Sequence, residues 1–96
     1  MDYPIWTLSG RYCGKVIDGQ VYDEDGHHVG YIDEGRIFSA RTGRVVGEFY
    51  REDRVGLKTS KVYPIRGARG IRGSRGFGRR GNKGGIGVGG WKDPEF

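Results

Sequence analysis

"IWTLSGRYCGKV" (residues 5–16) and "VYDEDGHHVGYI" (residues 21–32) decide the fold, because they are two copies of one pattern. They align without a gap at an offset of sixteen. Ile5 meets Val21, Trp6 meets Tyr22, Gly10 meets Gly26, Gly14 meets Gly30 and Val16 meets Ile32. A third copy, "IFSARTGRVVGEF" (37–49), fits with one inserted residue and puts Gly43 and Gly47 in the two glycine places. A fourth, "VGLKTSKVYPI" (55–65), is degenerate: its turn glycine is missing and Pro64 stands where the second glycine belongs.

Each copy reads as a β-hairpin. An apolar–aromatic pair opens a strand, and a polar turn ending in glycine follows at Thr7–Gly10, Asp23–Gly26 and Ala40–Gly43. Glycine suits the left-handed last residue of such a turn, where other residues pay about 1–2 kcal/mol. The returning strand has apolar residues just before and two after its glycine (Cys13/Val16, Val29/Ile32, Val46/Phe49). That spacing of three breaks the strand period of two, and a bulge at the glycine restores both to one face. Asp18-Gly19, Glu34-Gly35 and Glu52-Asp53 mark the connections between copies. No stretch carries helical periodicity. The predicted fold is all-β: four consecutive hairpins around a pseudo-fourfold axis in residues 1–65, with turns near 8–9, 24–25, 41–42 and 58–59. An extended Gly/Arg-rich C-terminal segment (66–96) follows.

The pattern in "VYDEDGHHVGYIDEGRIFSARTGRVVGEF" (21–49) resembles the small bacterial four-fold β-flower domains, over residues 5–65. The resemblance implies a repeat domain of uncharacterised function and brings no catalytic residues. It also implies a bacterial origin.

Charge separates the two parts. Residues 1–65 carry nine Lys and Arg against ten Asp and Glu, while 66–96 carry eight against two. The net charge of +5 therefore arises wholly in the C-terminal segment. Such asymmetry is the footprint of a polyanionic partner or of a solvated tail. Eleven of the 20 glycines lie between Gly67 and Gly90. Up to Gly76 they recur every three residues, in step with Arg66, Arg69, Arg72 and Arg75. A polyproline-II-type helix sorts such a sequence into a bare edge, an arginine edge and a small or apolar edge. Packing on the hairpin domain or on other subunits is expected of the bare edge, with Trp91 anchoring the far end. The rival expectation is a flexible RG-type nucleic-acid tail, with Arg66, Arg69, Arg72, Arg75, Arg79, Arg80 and Lys83 on phosphates.

Chemical motifs fail on inspection. "GFGRRG" (76–81) has the G-x-G-x-x-G spacing but lacks a preceding strand and a following helix. "DEDG" (23–26) would put Val21 and Ile32 at the ends of a calcium loop, where oxygen ligands are needed. His27 and His28 point to opposite faces of a strand and are expected at the surface. Cys13 stands alone and is expected as a buried thiol. Asp23, Asp25 and His27 form the nearest thing to an acid–base cluster, on a loop. No catalytic residue, metal ligand, cofactor or small-molecule site is identified, and the chain is expected not to be an enzyme. The start has no apolar run, so a cytoplasmic protein without a membrane span is expected. The leading expectation is a structural or interaction module whose basic segment packs on the β domain or mediates homo-oligomerisation. The alternative is a nucleic-acid-binding protein without sequence specificity.

Overall fold

The computed structural model describes residues 2–96. Every regular element among them is a strand: β1 (Tyr3–Thr7), β2 (Tyr12–Ile17), β3 (Gln20–Asp23), β4 (His28–Asp33), β5 (Arg36–Ser39), β6 (Val45–Arg51), β7 (Arg54–Lys58) and β8 (Trp91–Lys92). Neighbouring strands pair antiparallel from β1 through β7. β1 then pairs parallel with β7, Trp6 facing Arg54 and Thr7 facing Val55, which closes seven strands into a barrel. The molecule is a thick disc of 35 × 31 × 19 Å.

The alignment of copies explains the core. Ile5, Val21, Ile37 and Val55 are fully buried and meet in one cluster with Cys13 and Val16. Cys13, Val29 and Val46 are the unpaired residues of three equivalent bulges, since Ile5, Val21 and Ile37 pair with Gly14, Gly30 and Gly47 while the next residues pair two positions back. The bulge turns both apolar neighbours of each glycine toward the central cluster. Gly14 and Gly30 are required by close approach: an added Cβ would lie 1.9 Å from the carbonyl oxygens of Tyr22 and Phe38. Between copies, Asp18-Gly19 and Glu34-Gly35 all have positive φ, the signature of two-residue type I′ turns whose twist suits a hairpin. The Cys13 thiol is buried, donates weakly to the Ile5 carbonyl, and is pushed up to about 12 chiefly by burial. Buried and un-ionised, it is a core side chain and no nucleophile.

The fourth copy departs from expectation. β7 forms as read, but residues 61–65 add no strand. Pro64 has no N–H to give a ladder. Tyr63 instead folds back, its hydroxyl accepting from the Lys58 amide at 2.9 Å and donating to Glu48 at 2.6 Å. The partner of β7 comes from far along the chain: Leu57 faces Lys92 and Lys58 faces Trp91. Gly56 stands where the other copies carry Trp6, Tyr22 and Phe38, and Leu8 fills the vacated space, 2.5 Å from where a Cβ would sit.

No helix among the described residues is long and apolar enough to cross a membrane.

Candidate functional site

The three hairpin turns end in left-handed glycines: Gly10 (φ 95°), Gly26 (φ 83°) and Gly43 (φ 76°). Each carbonyl receives one amide from the C-terminal segment. Lys83 donates to Gly10 at 2.7 Å, Arg75 to Gly26 at 2.8 Å and Arg66 to Gly43 at 2.8 Å. The carbonyl of the same basic residue lies against the glycine, 2.0, 1.9 and 1.6 Å from where a Cβ would be. Only a residue without a side chain lets the two backbones meet so closely.

The side chain of each clip residue covers the aromatic ring that opens its copy. The Lys83 ammonium lies 3.9 Å from the Trp6 ring centre. The guanidinium of Arg66 lies 4.9 Å from Phe38 and that of Arg75 5.8 Å from Tyr22. The motif is therefore one unit used three times: backbone on turn glycine, cation on aromatic. The clip residues are nine and then eight apart, close to three of the segment's glycine triplets.

Between clips the segment is held by particular contacts. Arg69 and Gly70 both donate to the Ala40 carbonyl, and the Arg69 guanidinium sits 3.7 Å above Tyr31. The Arg72 amide donates to His28 Nδ1 at 2.9 Å. Asn82 Oδ1 accepts the Tyr12 amide at 3.0 Å, and the Trp6 indole donates to the Gly81 carbonyl at 2.8 Å. Ile86 donates to Leu8, and Asp93 accepts from the Ser9 hydroxyl at 2.7 Å. The chain then supplies β8 to β7, the Glu95 amide donates to Val46, and Phe96 packs on the central cluster. It runs past the third, second and first turns to β7 and back to the third copy, a circuit of the disc.

Ion pairs join the acidic domain to the basic segment: Arg66 with Asp33 and Glu34, Arg79 with Asp25, Lys83 with Asp53. These side chains keep 38%, 60% and 42% of their exposure, so screening by water leaves each pair worth about 0–1 kcal/mol. Backbone bonds and ring contacts carry the seating.

Of the seven basic residues singled out for phosphate contact, Arg66, Arg79 and Lys83 are thus paired with acids of the same chain. Arg69, Arg72, Arg75 and Arg80 have no carboxylate partner among the described residues. The expectation that the segment's glycines face the chain's own β domain is corrected. Ten of its eleven have no atom within 4 Å of an added Cβ, and only Gly85 approaches Ser9. The bare edge that matters belongs to the turns, not to the segment.

No family model, curated protein or solved structure matches this chain.

His28 is likewise corrected from surface to interior: it is 6% exposed and packs 5.2 Å from Tyr22. Its Nδ1 accepts an amide, so Nε2 carries the proton and donates to Gln20 Oε1 (2.9 Å) and the Gly30 carbonyl (3.0 Å). Burial lowers its pKa, and nearby Arg72 adds to this, which keeps the ring neutral for that role. The signal was present in the alignment, since position 28 falls opposite the buried Tyr12. The loop acids also find structural work. Asp23 Oδ1 accepts the amides of Asp25 and His27, and Asp25 is held by Arg79. Asp93, Asn82, Arg54 (donating to the Gly84 carbonyl at 2.7 Å) and Phe96 complete the seating and carried no pattern in the sequence.

Proposed function

We propose that this protein is a non-enzymatic structural and interaction module of the four-fold β-flower kind, in which the basic C-terminal segment is a belt fixed on its own β domain. The pseudo-fourfold arrangement of hairpins, with β8 supplying the return strand of the fourth, belongs to this proposal. The observation that carries it is the threefold recurrence of one clip at Gly10, Gly26 and Gly43. A tail made for grasping a partner has no need of matched backbone contacts at equivalent turns. A rigid disc rimmed by ordered arginines suits assembly with an acidic partner in the cytoplasm.

A second reading, nucleic-acid binding, is favoured by Arg69, Arg72, Arg75 and Arg80, which lack acid partners. The two readings differ in salt dependence. Of the seven basic residues singled out, a seated belt offers these four, which contribute a log–log slope on duplex DNA of roughly −3.6. A released tail engaging all seven gives roughly −6.3. Titrating full-length protein with duplex DNA across a salt series measures the slope. Weak binding with a shallow slope is expected; a slope steeper than about −5 would show that the ion pairs open and the belt leaves.

A further inference from the structure

The first hairpin and the belt enclose a cleft of about 230 Å³, lined by Pro4, Tyr12, Lys15, Gly78, Arg79 and Arg80. Pro4 belongs to β1 and Tyr12 and Lys15 to β2; the others belong to the belt. Tyr12 is 3% exposed, yet its hydroxyl makes no hydrogen bond. Buried hydroxyls almost always find a partner, and an orphan one calls for a reason. The ring cannot easily turn away to find one. It stands edge-on to Trp6 with centroids 6.0 Å apart, and its amide is fixed by Asn82.

The charges in the cleft point one way. Arg79 is satisfied by Asp25. Lys15 and Arg80 have no carboxylate partner among the described residues, and Lys15 lies 5.6 Å over the Phe77 ring. No acid lines the cleft. Two uncompensated cations and a spare hydroxyl donor are the complement of a doubly charged oxyanion. An arginine fork beside a lysine point charge is a common way of holding phosphate oxygens.

We infer that this cleft binds the dianionic phosphate of a phosphate monoester, with the Tyr12 hydroxyl, the Lys15 ammonium and the Arg80 guanidinium as donors. The inference rests on the seated belt, because Gly78, Arg79 and Arg80 come from it. A phosphodiester carries one charge and matches the two cations less well, which separates a terminal phosphate from a nucleic-acid backbone.

The test is a nuclear magnetic resonance titration of full-length protein at low ionic strength and neutral pH, with inorganic phosphate as probe. A saturable response at Tyr12, Lys15 and Arg80 is expected, with Kd about 1 mM or tighter. Tyr12→Phe should weaken it about tenfold, the usual loss when one hydrogen bond to a charged group is removed. Lys15→Gln and Arg80→Gln alter partly or wholly exposed side chains, so the fold survives, and each should weaken binding about tenfold or more. Arg41→Gln, outside the cleft, should leave it unchanged. Failure to saturate, indifference to Arg80→Gln, or an equal response at Tyr12 and Lys15 to an oligonucleotide lacking a terminal phosphate would each overturn the site. Amide exchange at Arg75 and Lys83 in the same sample separates the two readings. Protection without phosphate binding removes the site alone; loss of both removes the belt as well.

Discussion

Gly43→Ala will destabilise the protein by about 2–3 kcal/mol in chemical denaturation. Two causes add. The residue sits at φ 76°, where a Cβ costs about 1–2 kcal/mol. The new methyl would also lie 1.6 Å from the Arg66 carbonyl, so the belt must withdraw and the Arg66–Gly43 hydrogen bond is lost, for about 1 kcal/mol more. Gly35→Ala is the control that separates the causes. Gly35 has nearly the same φ, 74°, but nothing lies within 4 Å of an added Cβ. It should lose only the backbone penalty. Equal losses for the two variants would mean that no chain lies against the third turn.

The second large effect is expected on removing residues 66–96. The fragment 1–65 should give no cooperative unfolding transition. It loses eight backbone hydrogen bonds between segment and domain, at Thr59, Arg66, Arg69, Gly70, Arg75, Lys83, Ile86 and Glu95. At about 0.5–1.5 kcal/mol each these are comparable with the whole stability of a small domain, although ordering the segment offsets much of that gain. It also loses β8, the antiparallel partner of Leu57 and Lys58 in β7, and Phe96 from the central cluster. Trp6, buried under Lys83 in the intact protein, becomes the sole tryptophan and reports directly. Its emission should shift to the red as it meets water. A fragment that unfolds cooperatively at the full-length midpoint would show that the belt is an ornament.

Much of this architecture was legible because local rules and global fold agree. The sixteen-residue offset located β1 to β6 and their turns, since strand and turn chemistry are set by neighbours in sequence. It aligned Ile5, Val21 and Ile37 as equivalent strand openings and put Val55 at the head of the fourth copy; the structure shows all four buried in one cluster. Legibility ended where contacts became distant. β8 is two residues long, and nothing in Trp91-Lys92 announces that it will pair with Leu57 and Lys58. The triplet of glycine and arginine pointed to an extended segment, but within the chain its bare edge does not meet the β domain. The glycines that admit the close approach are in the turns, where they had already been explained by φ alone. One residue there serves two constraints, and the first conceals the second. His28 was misread by residue type, while its place opposite Tyr12 would have put it inside. The Tyr12 cleft was invisible, because an orphan hydroxyl is a property of three-dimensional surroundings.

Amide hydrogen exchange on the intact protein tests the belt most directly. The amides of Arg66, Arg75 and Lys83, bonded to the three turn glycines, and that of Arg72, bonded to His28, should exchange far more slowly than those of Gly76 and Gly78, which have no acceptor. The result is slow exchange at the three clips and at Arg69, Gly70 and Arg72, whose amides are also bonded, with fast exchange at Gly76 and Gly78. Exchange at unfolded-peptide rates throughout residues 66–90 would contradict it.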